Sequence, residues 1–341
     1  MQQHTTCRTA VLALPCVGTS TVFGILDVMA SVGRDWELLH GTQPRPPAFD
    51  ARLLSLDGTS YQDINQRIVT PDGTLSDFDP PDLVIVPDLH LNPTEPLPDE
   101  FRQMAAYVLD AYAQGAVISS VCSGSVLLAY TGLLDGLDAT THWGFCDLMA
   151  QQFPDVCLRR ERILVPAGEG HRVVTAGGAS AWGDLMLYLI GRFAGVQEAR
   201  RMAKLYLLQP HTEGQLHYAS LLAGRQHEDA VVARAQVWAA DNYAVSKPVS
   251  AMAKRAGLTE RSLLRRFRKA TGQSPADYIQ TLRIEEAKQM LETTETAIEE
   301  IAQEVGYTET SSFRNAFKRH VGMSASAYRK KRLPGPFPAG A

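Results

Sequence analysis

The sequence predicts an α/β domain built on a parallel sheet, followed by an all-α domain holding two helix-turn-helix units. Three observations predict it. Short apolar runs alternate with helical stretches over residues 1 to about 210, a unit recurs at an offset of 49 to 50 residues in the last hundred, and formal charge changes sign between the two regions. At about 150 residues per domain, 341 residues are enough for two separate cores. Apolar residues at 45% and charged residues at 21% exclude a largely disordered or collagen-like chain.

In chain order, Val11–Leu14, Leu83–Val86, Ala116–Val121 and Arg172–Thr175 read as buried strands, while Phe101–Gln114, Ser125–Tyr130 and Ser180–Phe193 read as helices. Such alternation belongs to a parallel sheet covered on both faces, where sites gather at the carboxyl ends of strands. One strand end carries chemistry. Val121-Cys122-Ser123-Gly124-Ser125 sets a cysteine between an apolar strand and a helix, the layout of a nucleophile elbow, and helix-start amides are expected to lower its pKa. His142 follows twenty residues later and is expected nearby.

The segment 211–229 is polar and reads as a linker; its histidines (His211, His217, His227) fit no common metal-ligand spacing. Ala230–Tyr243 opens the helical domain. Beyond it, Ala253, Gly257, Thr259-Glu260 and Ser262 align with Ala302, Gly306, Thr308-Glu309 and Ser311. One residue later in register, Phe267, Gly272, Ser274 and Tyr278 align with Phe317, Gly322, Ser324 and Tyr328. Each copy is a helix, a glycine turn and a second helix, which is the helix-turn-helix pattern. Thr259 is placed to cap the helix Glu260–Thr271, which buries Leu263 and Phe267 and leaves Arg261, Arg265, Arg266 and Arg268 around its circumference. The second copy buries Phe313 and Phe317. Pro275–Leu291, with proline at an early helical position, connects the copies and can hold the two second helices at the spacing of successive major grooves.

Charge supports the division. Residues 241–341 hold 17 Lys and Arg against 11 Asp and Glu, whereas the remainder holds 16 against 26. A basic end on an acidic body suits a polyanionic partner. Five cysteines (Cys7, Cys16, Cys122, Cys146, Cys157) without paired spacing suggest reduced thiols, and Met1–Arg8 offers no export signal, so a cytoplasmic location without membrane association is expected.

The run Ala253-Lys-Arg-Ala-Gly-Leu-Thr-Glu-Arg-Ser-Leu-Leu-Arg-Arg-Phe, with Gly272-Gln-Ser-Pro and Ile301-Ala-Gln-Glu-Val-Gly-Tyr-Thr-Glu-Thr-Ser-Ser-Phe-Arg-Asn-Ala-Phe-Lys-Arg, closely resembles the AraC family of transcription regulators; Ala325 stands where that family usually has proline. The resemblance implies base reading by Arg261, Leu264 and Arg265 from the first unit and by Thr310, Ser311 and Asn315 from the second, with Leu264 alternatively a core residue or a contact to a thymine methyl. Arginine suits guanine and asparagine suits adenine. Ser262, Arg266, Lys318 and Arg319 join the DNA-binding set, with Arg268, Lys269, Lys318 and Arg319 suited to phosphates or to solvent. Thr310 and Ser311 have helix-start capping as an alternative.

Residues 8–210 resemble the class I glutamine amidotransferase-like superfamily, in its ThiJ/PfpI group, through Val121-Cys-Ser-Gly-Ser, Gly132-Leu-Leu-Asp-Gly, Ala139-Thr-Thr-His-Trp and Thr175-Ala-Gly-Gly. The implied fold is an α/β flavodoxin-like parallel sheet domain followed by an all-α domain with two helix-turn-helix motifs. The implied boundaries are 1–212 for a sensor domain, 213–229 for the linker, 230–333 for the DNA-binding domain and 334–341 for a flexible tail. The implied partners are double-stranded DNA, a small, nitrogen-containing effector, RNA polymerase and a second copy of the chain; no cofactor or metal is implied. Thr21, Asp88, Cys122, Ser123, His142 and Gly177 are the implied ligand-binding residues. Catalysis is not expected. Thr21 occupies the place of the group's acid, and Pro87-Asp88-Leu89 replaces a Pro-Gly-Gly whose amides approach an oxyanion. Asp27, a turn into the first helix, is read as surface or packing. Cys122 is a pocket-lining thiol, a redox-sensing thiol or a nucleophile. The alternative function is an active cysteine-dependent amidase or hydratase fused to a DNA-binding domain.

Overall fold

The computed structural model describes residues 6–78, 80–92, 97, 99–212, 214–218 and 229–331. Of the expected linker, 213 and 219–228 lie outside the described residues, as do His227 and the tail 334–341. The chain divides into two compact units, Met1–Gln215 and Leu216–Ala341.

The amino-terminal unit is a seven-stranded sheet of β1 (Cys7–Leu12), β2 (Phe49–Ser55), β3 (Gly73–Thr74), β4 (Leu83–Val86), β5 (Val117–Val121), β6 (Leu164–Ala167) and β7 (Val173–Ala176), in the order β6-β7-β5-β4-β1-β2-β3. Every pairing is parallel except β6 with β7. The register sets Val11 beside both Leu53 and Ile85, and Ile85 beside Ser119. The central strands are covered on both faces, which is why β4 is the unbroken apolar run Leu-Val-Ile-Val with all four residues buried. Helices α1 (Thr19–Ser31), α2 (Glu100–Ala113), α3 (Gly124–Tyr130), α4 (Trp182–Phe193) and α5 (Val196–Leu205) supply the cover.

Two sheet strands escape the apolar-run criterion. In β2, half-buried Asp50 and exposed Arg52 interrupt the apolar residues and pair with each other at 3.0 Å. In β6, Pro166 sits on an edge strand, the one place in a sheet that tolerates a missing N–H.

The carboxy-terminal unit consists of α6 (Ala230–Asn242), α7 (Pro248–Arg255), α8 (Glu260–Thr271), α9 (Pro275–Thr293), α10 (Ile298–Glu304), α11 (Thr310–Val321) and α12 (Ala325–Lys330). Local chemistry starts and stops these helices. Thr259 accepts from the Ser262 amide at 3.2 Å to open α8. Ser274 and Asp277 form a capping box at the start of α9, with Pro275 in its first turn. Gly272 and Gly322 close α8 and α11 at φ 76° and 83°, a left-handed conformation in which a side chain is strained. The α8 helix packs Leu263 and Phe267 into one apolar cluster, and α11 packs Phe313 and Phe317 into another. Among the described residues, no helix is long and apolar enough to cross a membrane.

Candidate functional sites

From β1 the chain adds β2 and β3 on one side and β4, β5 and β7 on the other. The loops leaving β1 and β4 therefore diverge, and their carboxyl ends bound the crevice where open α/β sheets bind ligands. These loops are tied together here. Val17 bridges Leu89, the Gly18 amide donates to the Asp88 carbonyl at 3.0 Å, and the His90 amide donates to the Cys16 carbonyl at 2.7 Å. Gly18 has no room for a side chain, because a Cβ there would collide with the Asp88 carboxylate.

Asp88 is more than nine-tenths buried, and its Oδ1 has no hydrogen-bond partner among the described residues. Its other oxygen stands 3.9 Å from His90 Nε2. A buried carboxylate oxygen left unpaired is costly, so Asp88 is a polar group that the described residues leave unsatisfied at this switch point.

Cys122 leaves β5 at φ 57°, a left-handed conformation uncommon outside glycine, and the helix α3 begins two residues later. That is the strand-turn-helix elbow expected from the sequence. Gly124 is required behind it, since a Cβ would sit 2.6 Å from the Val86 carbonyl. The expected drop in the thiol's pKa is overturned: burial pushes Cys122 up to about 11, outweighing the opposing bond from the Ser123 backbone, and Asp88 adds to the rise. Ser123 does not face outward either. Its hydroxyl donates to the Leu89 carbonyl and accepts from the Leu89 amide at 2.8 Å, so an amide of the segment facing the elbow is already committed. Thr21 is buried in the first turn of α1, and Asp27 is exposed on the same helix.

His142 makes no hydrogen bond to Cys122. Its Nδ1 accepts from the Gly144 amide at 3.1 Å, its ring lies 4.8 Å from that of Trp143, and burial lowers its pKa, which keeps it neutral at pH 7. The link to the elbow runs through its neighbour: Thr141 Oγ1 donates to the Cys122 carbonyl at 3.1 Å. Gly177, just past β7, faces Gln215, whose Oε1 would lie 2.8 Å from a Cβ at that position. Gln215 is buried, and its amide nitrogen donates to the Thr141 carbonyl at 2.7 Å. No sequence signal singled out this glutamine, because it belongs to a polar stretch read as linker. His211, the first histidine of that stretch, pairs instead with Asp184 at 2.6 Å.

On α8, Arg261, Leu264, Arg265 and Arg268 are exposed at helical spacing along one face, opposite buried Leu263 and Phe267. Ser262 is half-buried and accepts from Thr259 Oγ1. Arg266 is placed differently from its fellows. Its Nε donates to Asp229 at 2.6 Å, and this guanidinium, with the amides of Val231 and Val232, pushes the Asp229 carboxyl down to about 2. Arg266 thus holds α8 to the start of α6. On α11, Ser311, Asn315, Lys318 and Arg319 are exposed, while Arg314 pairs with Glu299 at 2.6 Å. The residue preceding α11 is Glu309, and neither Thr310 nor Ser311 caps the helix through its side chain.

The chain matches the DJ-1/PfpI family over residues 48–191 and a helix-turn-helix domain over residues 252–331. It is 27% identical over 297 residues to the HTH-type transcriptional regulator CdhR of Pseudomonas aeruginosa, spanning 85% of each chain. It is 30% identical over 222 residues to the HTH-type transcriptional regulator GlxA of Rhizobium meliloti, spanning 64% of this chain and 66% of that one. It is also 27% identical to the HTH-type transcriptional regulator GbdR of Pseudomonas aeruginosa, over 79% of this chain and 72% of the relative. A crystallised protein from Vibrio parahaemolyticus shares the fold at a TM-score of 0.51 and 18% identity, over 60% of this chain and 100% of its own. Given a sheet with a cysteine elbow, a duplicated helix-turn-helix and regulators as relatives, the chain belongs to the AraC-type transcriptional regulators that carry an amino-terminal DJ-1/PfpI domain.

Proposed function

We propose that the amino-terminal domain, residues 1–212, binds a small nitrogen-containing effector in the crevice between β1 and β4. Residues 213–229 link it to a DNA-reading domain, 230–333, and 334–341 form a tail. Asp88 carries the reading: a buried carboxylate with an unpartnered oxygen is completed by a cationic or N–H-bearing group and repels an anion. Thr21, Cys122, Ser123, His142 and Gly177 complete the ligand-binding set. On the DNA side, Arg261, Ser262, Arg265, Thr310, Ser311 and Asn315 read bases, Lys318 and Arg319 grip phosphates, and Arg266 secures its helix. The effector acts by binding two arrangements of the protein unequally. The protein works in the cytoplasm as a homodimer and activates transcription through RNA polymerase.

Binding without turnover is supported by the raised Cys122 pKa, the absence of a hydrogen bond from His142 to the thiol, and the Leu89 amide occupied by Ser123. The second reading, a cysteine-dependent amidase or hydratase fused to a DNA-binding domain, draws on the left-handed elbow at Cys122.

A thermal-shift screen of amino acids, betaines, polyamines and carboxylate controls tests the proposal, since a ligand at a hundred times its Kd stabilises the native state by about 2.7 kcal/mol. The expected hit bears a cationic nitrogen, is lost in Asp88→Asn, and changes operator binding in wild type; the response survives in Cys122→Ala, at a higher effector concentration. Substrate turnover that vanishes in Cys122→Ala would establish the enzyme reading instead.

A further inference from the structure

The two helix-turn-helix units of the carboxy-terminal domain do not share a core. Leu263 and Phe267 of α8 pack with Met252, Ile279 and Leu282, whereas Phe313 and Phe317 of α11 pack with Ile284, Leu291 and Ile301. The connector α9 feeds both clusters, the first from Ile279 and Leu282 and the second from Ile284 and Leu291. Each recognition helix is therefore fixed to its own cluster. The angle and spacing between them depend on what joins the clusters across α9.

One side chain stands at that joint. Arg283 lies between Leu282, the last contribution to the first cluster, and Ile284, the first contribution to the second. Its Nε donates to the Tyr243 carbonyl at 2.9 Å, and its terminal nitrogen donates to the Val245 carbonyl at 3.4 Å. The same guanidinium carbon lies 5.4 Å from the centre of the Tyr307 ring. Tyr243 and Val245 belong to the chain between α6 and α7, and Tyr243 packs against both clusters. Tyr307 belongs to the turn between α10 and α11, and its ring meets Phe313 of α11 edge-on at 5.4 Å. Gln280, one turn before Arg283, donates to the Tyr307 hydroxyl. The turn is held close: a Cβ on Gly306 would lie 2.8 Å from the Arg283 guanidinium and 2.7 Å from the Ala244 carbonyl.

We propose that Arg283 is a positioning residue for two-groove recognition, clamping the Tyr243–Val245 loop and the Gly306–Tyr307 turn onto α9 and so setting the register of α8 against α11. The planar fork suits the task because it reaches two carbonyls while presenting a flat face to the ring, which a lysine ammonium does not reproduce. The half-buried guanidinium donates to two protein carbonyls, through Nε and one terminal nitrogen, and the role proposed for it passes through the helices it holds. Two linked contacts strengthen each other only while their separation matches the target. A loosened joint lowers the effective concentration of the second helix without altering either set of base contacts. The proposal rests on the reading that both α8 and α11 enter the DNA.

The test uses the full chain and a duplex that the wild type selects from a randomised library. Wild type is expected to protect two windows about one helical turn apart within each half-site, one half-site per copy of the chain, and to lose at least tenfold in affinity when two base pairs are inserted between the two windows of a half-site. Arg283→Met is expected to bind the uninserted duplex about tenfold more weakly, lose less than threefold on insertion, and keep the same base choice within each window. An insertion penalty equal to that of wild type, or an altered base choice in either window, overturns the role assigned to Arg283. A single protected window per half-site in wild type instead removes the two-helix reading beneath it. Should Arg283→Met have reduced helix content, Tyr307→Leu removes the ring and leaves the carbonyl bonds. The same two readouts then decide by the same criteria.

Discussion

At Cys122, the neighbours along the chain and the neighbours in space pull the thiol in opposite directions. Adjacent helix-start amides favour the thiolate, but the thiol is buried and lies near Asp88, and burial wins, with a pKa pushed up to about 11. At pH 8 only about a thousandth of such a thiol is ionised, so alkylation of Cys122 by iodoacetamide is expected to be about a hundredfold slower than that of an ordinary thiol. The rate should rise about tenfold per pH unit up to 11 while the fold persists. Peptide mass spectrometry checks this, with exposed Cys157 as the fast internal control; rapid labelling of Cys122 at pH 7 contradicts the burial account. The elbow was legible because a strand, a small-residue turn and a helix are local patterns. The pKa was not, because burial is contributed by residues far along the chain. Arg266 makes the same point. Sequence shows four arginines on one helix, but not that one is held by Asp229, 37 positions away. The Asp229 carboxyl, pushed down to about 2, stabilises the fold at pH values above its ordinary value of 3.8, and that contribution disappears as the pH falls from about 4 to 2. Asp229 also caps α6, so Asp229→Ala is expected to cost about 1–2 kcal/mol at pH 7. Arg266→Ala should lower Tm with base choice unchanged, whereas Arg265→Ala should cost about 1–3 kcal/mol on the preferred site and relax selection there. A binding-site selection on each variant, read beside its melting curve, distinguishes the two arginines.

At the scale of elements, the repeat makes a controlled comparison available. Gly257 and Gly306 occupy equivalent turns, with φ of 66° and 89°, and both would place an alanine in a left-handed conformation. Their surroundings differ. Nothing lies within 4 Å of a Cβ on Gly257, whereas one on Gly306 would meet the Ala244 backbone at 2.7 Å. Gly257→Ala is therefore expected to cost about 1–2 kcal/mol, the conformational penalty alone. Gly306→Ala should cost at least about 1–3 kcal/mol more, because the turn must lift from the end of α6. Denaturant melts of the two variants, followed by helix signal, check the order; equal losses would mean that the second turn has no close packing to lose. The spacing of the repeat and its caps were readable because glycine, threonine and serine act on their own turns. The helices α8 and α9 begin where the sequence places them, at Glu260 and Pro275. Elements stabilised by distant contacts were harder to read. Strand β2 mixes charge with apolar residues near the sheet's edge, β6 carries a proline, and Gln215 takes its meaning only from Gly177 and Thr141 in space.

For the whole molecule, the governing feature is that charge of opposite sign is segregated along one chain. The last 101 residues carry an excess of basic groups, and the rest carries a larger excess of acidic ones, so the protein as a whole is negative at −4 yet must approach a polyanion. Repulsion from the acidic part is long-range and falls off over a Debye length of about 8–10 Å at physiological salt. Phosphate contacts, in contrast, release condensed counterions and dominate the salt dependence of binding. Log Kd is therefore expected to rise steeply and linearly with log salt. If Lys318, Arg319 and their neighbours make about six to ten phosphate contacts, affinity should fall by about 10³–10⁵ between 50 and 200 mM salt. Lys318→Ala should weaken binding to preferred and scrambled duplexes by the same factor and reduce the slope by about one, because the ammonium it removes is exposed on α11 with no role in the core. Fluorescence anisotropy titrations of the full chain across that salt range give both quantities. An unchanged slope in Lys318→Ala, or a loss confined to the preferred duplex, would move that lysine from the phosphate backbone to the base edges.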